Sequence, residues 1–287
     1  MSGPRIGIIG GSGLYSIQGV SVKEEVGLET PFGYPSDSFM LCEIAGREVV
    51  FLPRHGRGHT LLPTELPFRA NIYGMKMLGV EWIVSVSAVG SMKEHLHPRD
   101  VVLPRQFIDR TSKREDTFFG EGIVAHVAFA DPICAALSAV VAGAARNCGA
   151  TVHEGGTYLC MEGPAFSTRA ESFLYRSWGV DVIGMTNLQE AKLAREAEIC
   201  YATLAMVTDY DCWHETAASV TAEMVLENLR RNAALAQGTI LAAASAIPRE
   251  RRCACARALE NAIVTDASKI RPETRKKLEL IIGKYVK

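Results

Sequence analysis

The stretch Ile6-Gly7-Ile8-Ile9-Gly10-Gly11-Ser12-Gly13 is an apolar run of strand length that ends in glycines. Glycine allows positive φ, so such a turn can direct several N–H groups at one anion, and a serine hydroxyl adds a donor. The stretch predicts a buried strand followed by an anion-binding loop or by a plain tight turn. A dinucleotide-binding loop needs a helix directly after the glycines. Residues 14–25 contain Gly19 and β-branched residues without a helical pattern, which argues against that class.

Outward from this strand, short apolar runs alternate with amphipathic segments, which is typical of an α/β protein. We predict one α/β/α domain with a central mixed, mostly parallel twisted sheet flanked by helices. It covers residues 1–250, and 251–287 form a C-terminal helical extension packed on the domain or on a neighbouring subunit. The predicted strands are 6–9, 39–44, 47–53, 83–89, 101–103, 157–161, 181–185 and 202–208, and the predicted helices are 65–78, 131–147, 168–176, 187–197, 221–246 and 265–287.

Composition excludes several classes of partner. The chain has 287 residues, of which 48% are hydrophobic, and 31 Lys+Arg balance 32 Asp+Glu. This balance provides no basic field for nucleic acid or an anionic membrane. There is no apolar run of the roughly 18 residues that a spanning helix requires, and the N-terminus has no signal-peptide pattern. We therefore expect a cytoplasmic protein that binds neither nucleic acid nor membrane.

Eight cysteines are present, and most lie in apolar surroundings, where cysteine usually acts as a small hydrophobe. Cys253 and Cys255 form a Cys-x-Cys pair in a basic stretch that we expect to be exposed. They are either two reduced thiols or a redox clip. Their spacing resembles no set of metal ligands, so no metal site is predicted.

A second glycine-rich segment, Pro53-Arg54-His55-Gly56-Arg57-Gly58-His59, follows a predicted strand. Arginine offers a planar fork to two oxygens, and histidine donates one bond or carries charge. A solvated basic loop rarely needs this much glycine, so the segment favours an anion site. The run Ser85 to Ser91 ends in small residues that allow a ligand to approach, but by itself it is better explained by core packing.

Thr208-Asp209-Tyr210-Asp211-Cys212-Trp213 ends the apolar run from Leu204 to Val207. Carboxylates that emerge from a buried strand are costly unless they serve a site or a salt bridge. At i and i+2 on an extended segment, Asp209 and Asp211 share one side and can face one planar ligand. A metal site is disfavoured because no further ligands lie nearby at a familiar spacing.

Together these segments resemble the methylthioadenosine phosphorylase branch of the trimeric purine nucleoside phosphorylase family. The resemblance covers about residues 6–246 and includes Ser-Ala-Val-Gly-Ser at 87–91, Gln-Phe-Ile-Asp-Arg-Thr at 106–111 and Met-Glu-Gly-Pro-Ala-Phe-Ser-Thr-Arg-Ala-Glu at 161–171. It implies a phosphorylase-type fold, a trimer or hexamer, and no metal or organic cofactor, with inorganic phosphate as co-substrate. Pro67 stands where the family commonly has Asn, and it lies in or before the first turn of a helix.

The resemblance also implies roles for single residues. Phosphate is expected at Ser12, Arg54, His55, Ser87, Ala88 and Thr186. Nucleoside contacts are expected from Met185 at the ribose, Phe166 near the base, Asp209, Tyr210, Asp211, and His126 reaching into a neighbour's site. Specificity is expected to depend on Ser167, Ala222 and Val225, the last two where the 5′ pocket should lie.

The resemblance implies reversible phosphorolysis of 5′-methylthioadenosine to adenine and 5-methylthioribose 1-phosphate. Protonated Asp209 is expected to donate to purine N7, and Asp211 to accept from the 6-amino group or to hold Asp209. Because a carboxylate accepts from an amino group, the pair favours 6-aminopurines. The alternatives are a phosphorylase with broader adenosine and inosine specificity, a nicotinamide-dependent oxidoreductase and a non-catalytic nucleoside-binding protein.

Overall fold

A computed structural model describes residues 5–11, 20–214 and 222–286, with the backbone alone for 222–227 and 229–231. Within these ranges, eleven strands form one mixed sheet. They are β1 (Arg5–Gly10), β2 (Val22–Val26), β3 (Phe39–Ile44), β4 (Arg47–Pro53), β5 (Val80–Ser91), β6 (Val101–Leu103), β7 (Gln106–Arg110), β8 (Val152–Glu154), β9 (Thr157–Met161), β10 (Val182–Gly184) and β11 (Cys200–Asp209).

The strand order β2-β3-β4-β1-β5-β10-β9-β7 branches at β5, which also pairs with β11, and β11 continues to β6 and β8. β4, β1, β5 and β11 are mutually parallel neighbours, whereas the β2–β3 and β3–β4 pairs are antiparallel. The predicted α/β fold with a mixed sheet is confirmed. β5 and β11 are almost entirely buried, which explains their continuous apolar sequences.

Seven α-helices accompany the sheet in the described ranges: α1 (Phe68–Met77), α2 (Ala135–Asn147), α3 (Arg169–Ser177), α4 (Asn187–Glu196), α5 (Ala222–Ala246), α6 (Pro272–Lys277) and α7 (Glu279–Ile282). α2 packs against α5 and β11, and α1 packs against α4. Pro67 is the N-cap residue of α1, where a missing N–H costs nothing. None of the helices in these ranges combines the length and apolar character needed to cross a membrane.

The predicted helix over 265–287 is wrong. The chain forms a 3-10 turn at Ala267–Lys269, and α6 then begins at Pro272. The residue before a proline avoids helical backbone angles, whereas proline itself suits the first position of a helix. Leu259, Ile270, Leu278 and Ile281 join the main hydrophobic core, so this segment packs on the body of its own chain.

Candidate active site

The candidate site lies at one edge of the sheet, where four parallel strands end. Gly10 pairs with Pro53 at the ends of β1 and β4, and the Arg54 N–H donates to the Gly10 carbonyl at 2.9 Å. On the neighbouring strands, Asp209 at the end of β11 lies opposite Gly90 of β5. The fold therefore places the glycine-rich segments and the acidic pair side by side.

A cavity of about 540 Å³ opens at this edge, within the range usual for small-molecule sites. Of the predicted site residues, its wall contains Arg54, His55, Ser87, Ala88, Phe166, Met185, Thr186, Asp209 and Asp211. Gly11 also lines it, next to Ser12, which is outside the described residues. One cavity thus contains most of the residues that were predicted to bind the anion and the nucleoside.

Arg54 is a buried cation that four hydrogen bonds hold in place. Its Nε donates to Glu190 Oε1 at 2.5 Å, and Nη2 donates to Ser85 Oγ at 2.6 Å and Glu190 Oε2 at 3.3 Å. Nη1 donates to the Val86 carbonyl at 3.0 Å. Burial disfavours the charge, but the attraction and hydrogen bonding of Glu190 outweigh it and raise the pKa of Arg54. The guanidinium is therefore fixed in orientation before any ligand arrives.

His55 is held as a neutral ring. Burial, followed by the charge of Arg54, lowers its pKa to about 4. Its Nδ1 lies 2.9 Å from the Leu61 carbonyl, which can only accept, so Nδ1 carries the hydrogen. Nε2 is then an acceptor at neutral pH, suited to the hydroxyl of a protonated phosphate. His59 stacks on this ring with centroids 4.2 Å apart.

The start of α4 forms another part of the cavity wall. Thr186 is the N-cap residue, and its side chain does not bond to the helix N–H groups. Free N–H groups and the positive end of the helix dipole make a helix N-terminus an anion site. The Ser87 hydroxyl, also on the wall, lies 3.3 Å from the Tyr158 hydroxyl. Arg54, Thr186 and Ser87 thus give the cavity several donors for an oxyanion.

Hydrogen bonds hold the carboxyl groups of Asp209 and Asp211 in place. Asp209 Oδ1 accepts from the Asp211 N–H at 2.8 Å, and Oδ2 accepts from the Thr208 hydroxyl at 2.7 Å. Asp211 Oδ2 accepts from the Ser172 hydroxyl at 2.5 Å. Asp211 has φ of 53°, an uncommon angle for a residue other than glycine, and such outliers are frequent at functional sites.

Both aspartates favour the protonated form more than an exposed carboxyl does. Burial raises the pKa of Asp209, assisted by the charge of Asp211 and opposed by its hydrogen bonds to Thr208 and the Asp211 N–H. Burial likewise raises the pKa of Asp211. Gly90 makes room for the pair, because a Cβ there would lie 3.0 Å from Asp209 Oδ1. The cavity therefore holds a candidate proton donor beside its anion-binding wall.

Three predicted contacts do not line the cavity of their own chain. Tyr210 is absent from the cavity wall, and its ring stacks on His214 with centroids 4.6 Å apart. The His126 side chain is exposed, and its main-chain N–H donates to the Ala262 carbonyl at 2.8 Å. Ser167 contacts Met161 instead, with Oγ 3.8 Å from the sulfur. Ala222 and Val225 lie in the first turns of α5, where the structure describes the backbone alone.

Several residues that support the site were not predicted from the sequence. Glu190 is the counter-ion of Arg54 although 136 positions separate them. Arg114, whose side chain is 1% exposed, donates to the main-chain oxygens of Met161, Glu162 and Met185 and so joins two loops of the cavity wall. Ser172 orients Asp211. A charged residue on the apolar side of a helical pattern is the one sequence signal that marks Glu190 as unusual.

Within the described part of the chain, one group of side chains has the closeness of a metal site, and it lies away from the cavity. It consists of Cys134, Cys200, Cys253 and Cys255. Cys253 and Cys255 thus meet two cysteines that are distant in sequence, which their local spacing did not indicate. Both are half-buried rather than exposed.

Comparison with known families assigns the class. Residues 5–245 match the model of the phosphorylase superfamily. The chain belongs to this superfamily.

The chain is also similar to individual proteins whose reaction is named. The chain is 60% identical to the S-methyl-5′-thioadenosine phosphorylase of Geobacter sulfurreducens over 98% of this chain and 99% of that protein. It resembles the crystal structure of a methylthioadenosine phosphorylase from an antarctic soil metagenomic library, with a TM-score of 0.92, 49% identity, and coverage of 98% of this chain and 99% of that one. A Schistosoma mansoni adenosine/methylthioadenosine phosphorylase mutant in complex with methylthioadenosine is similar at a TM-score of 0.84, with 34% identity and 90% and 96% coverage.

Proposed function

We propose that this chain catalyses the reversible phosphorolysis of 5′-methylthioadenosine to adenine and 5-methylthioribose 1-phosphate. The observation that carries the proposal is the cavity at the ends of β1, β4, β5 and β11, which contains a fixed cation and a buried carboxyl pair. High identity to proteins named for this reaction supports the choice of substrate.

In this proposal phosphate binds at Arg54, the N-terminus of α4 at Thr186, the Ser87-Ala88 backbone and Ser12. His55 Nε2 accepts from the phosphate hydroxyl. Positioning one phosphate oxygen against C1′ turns a bimolecular step into an intramolecular one. Its negative charge stabilises the ribosyl cation that forms as the glycosidic bond lengthens.

The base leaves with the electron pair of the C1′–N9 bond, and Asp209 donates a proton to N7. Burial favours the protonated acid that this step requires. Asp211, fixed by Ser172, accepts from the 6-amino group or holds Asp209 in place. Met185 packs on the ribose and Phe166 on the base. Ser167, Ala222 and Val225 shape specificity, and Tyr210 contributes by packing on Trp213 and His214 in the turn that carries Asp211.

We further propose that the reaction uses phosphate as co-substrate without a metal or organic cofactor, and that the active form is a homotrimer or a hexamer. Phe173, Leu174 and Trp178 on and after α3 are each 46–51% exposed, which supports a subunit interface. We assign residues 1–250 to the catalytic domain and 251–287 to an extension.

Base release distinguishes the candidate functions. 5′-Methylthioadenosine, adenosine and inosine are each incubated with the protein, with and without phosphate, and the free bases are separated by chromatography. We expect phosphate-dependent adenine release, fastest from methylthioadenosine. Comparable rates from inosine would indicate the broader specificity, and binding without turnover would contradict an enzyme.

A further inference from the structure

Four cysteine side chains from three separate parts of the chain meet at one point. Cys134 is the N-cap residue of α2, Cys200 begins β11, and Cys253 and Cys255 lie at the start of a 3-10 turn after α5. All four sulfur atoms lie within 4.8 Å of one another. Cys253 Sγ is 3.3 Å from Cys200 Sγ and 3.9 Å from Cys134 Sγ.

This arrangement has the dimensions of a tetrahedral metal site. Zinc–sulfur bonds of about 2.3 Å place the four sulfurs of a tetrahedron about 3.8 Å apart. The two separations, 3.3 and 3.9 Å, lie on either side of that value, so small side-chain movements suffice. A disulfide instead requires two sulfurs at about 2.0 Å, and it joins them in pairs. Four sulfurs that are all close to one another fit the coordination of one central ion better than two separate disulfide bonds.

We propose that Cys134, Cys200, Cys253 and Cys255 bind one zinc ion as four thiolates. Binding replaces four S–H bonds with four Zn–S bonds and releases four protons to solvent. Thiolate ligands in tetrahedral geometry suit zinc among the common divalent ions. Cys134 stands at the positive end of the α2 dipole, and Arg251 and Arg252 precede Cys253, which favours the net negative charge of the centre.

The site is structural rather than catalytic. Its four protein ligands leave no open position for a substrate or water. Cys200 and Asp209 occupy opposite ends of β11, which separates the cluster from the acid by roughly 30 Å of strand. The ion fastens the segment after α5 to the start of α2 and of β11. It therefore supports the packing of residues 251–286 on the body without entering the reaction.

Metal analysis of the protein purified without chelators tests the proposal. We expect about one zinc per chain by elemental analysis, matched by the mass of the native protein. Zinc content should fall more than about tenfold in the Cys253→Ser/Cys255→Ser variant. The Cys148→Ser variant, which changes an exposed cysteine outside the cluster, should keep its zinc. Apoprotein loaded with Co²⁺ should show cobalt–thiolate absorption that the double variant lacks.

The wild-type measurements decide the question even if the double variant folds poorly. Zinc-free protein with four reduced thiols in the cluster would overturn the proposal, and so would a mass deficit showing disulfides among them. The double variant should melt at a lower temperature while its kcat at low temperature stays within about twofold of wild type. Retained zinc in that variant would place the ion elsewhere and also overturn the assignment.

Discussion

At the scale of single residues, the proposed chemistry depends on the proton of Asp209. Replacing it in Asp209→Asn keeps the shape but removes the acid. We expect kcat for methylthioadenosine to fall by about 10²–10⁴-fold, with little change in the KM for phosphate, because the anion wall is intact. Steady-state kinetics measure both constants. Asp266→Asn, at a turn near the C-terminus, is the control and should behave as wild type.

The role of Asp209 as an acid also predicts the direction in which activity changes with pH. Burial raises the pKa of Asp209, so the active protonated form is lost as pH rises through that raised value. At saturating phosphate, kcat/KM for methylthioadenosine should therefore decline on the alkaline side. The decline should disappear in Asp209→Asn. An unchanged alkaline limb in the variant would assign the titration to another group.

The sequence was sufficient for the residues that act from one continuous segment. Asp209 and Asp211 both line the cavity as predicted, but the predicted extended segment is wrong, because β11 ends at Asp209 and Asp211 begins a 3-10 turn. Arg54 and His55 share a loop. Glu190 and Arg114 were beyond this reasoning because their partners are 136 and about 50–75 positions away, and only the folded chain brings them together. The place of Ser12 in the site stays a prediction.

At the scale of elements, α4 carries two buried glutamates whose hydrogen-bond partners differ in charge. Glu190 forms an ion pair with Arg54, and both side chains are 2% exposed. Glu190→Gln leaves the guanidinium without its counter-charge, so we expect a loss of about 3–5 kcal/mol in the free energy of unfolding. Phosphate should restore part of it, because the bound anion offers Arg54 a new partner. Thermal melting with and without phosphate measures this, and an equal phosphate shift in wild type and variant would contradict it.

Glu196, the last residue of α4, accepts its hydrogen bonds from uncharged groups and serves as the contrast. Its carboxylate accepts from the Thr117 hydroxyl and the Phe118 N–H, both at 2.7 Å, yet burial raises its pKa to about 7. The folded state therefore holds a proton that the unfolded state loses near pH 4.5. This stabilisation is complete below pH 4.5 and is lost as pH rises through about 7.

Glu196→Gln should remove that dependence. A glutamine can accept from the Phe118 N–H and donate to the Thr117 hydroxyl, so it reproduces the protonated glutamate. We expect the variant to exceed wild type in unfolding free energy by roughly 3 kcal/mol at pH 8 and to match it near pH 4. Denaturant unfolding at the two pH values measures the difference. An identical pH dependence in both proteins would mean that the pKa of Glu196 is the same in the folded and unfolded states.

Element boundaries show where sequence patterns were informative. β1, β4, β5 and β11 were predicted because parallel strands buried on both faces are continuously apolar. β2 has the sequence Val-Lys-Glu-Glu-Val and is largely exposed at the edge of the sheet, and β8 has three residues, so neither gives a clear alternation. The C-terminal helix was overextended because its apolar spacing outweighed Pro272 in the prediction.

At the scale of the whole molecule, the position of His126 bears on assembly. It is exposed on its own chain, beside the bridge between Ala125 and Ile263, and is absent from the wall of its own cavity. The side chain can then serve the reaction only by reaching a neighbour's site. That arrangement requires an oligomer in which a neighbouring subunit completes each site, and the proposed trimer is one such assembly. The sequence indicated this role by resemblance alone, since no local pattern marks a contact between chains.

Mixed oligomers test this shared site. His126→Ala should lower kcat/KM for methylthioadenosine, and Asp209→Asn should abolish turnover at its own site. In oligomers assembled from equal amounts of the two variants, about a quarter of the sites receive an intact Asp209 from one chain and an intact His126 from the next. We therefore expect kcat/KM at low substrate to exceed the average of the two parents. Native mass spectrometry verifies that mixed oligomers form, and wild type mixed with Asp209→Asn gives the activity expected when only the sites with an intact Asp209 turn over. Activity equal to the parental average would show that His126 does not act across the interface, because subunit exchange would then create no complete sites.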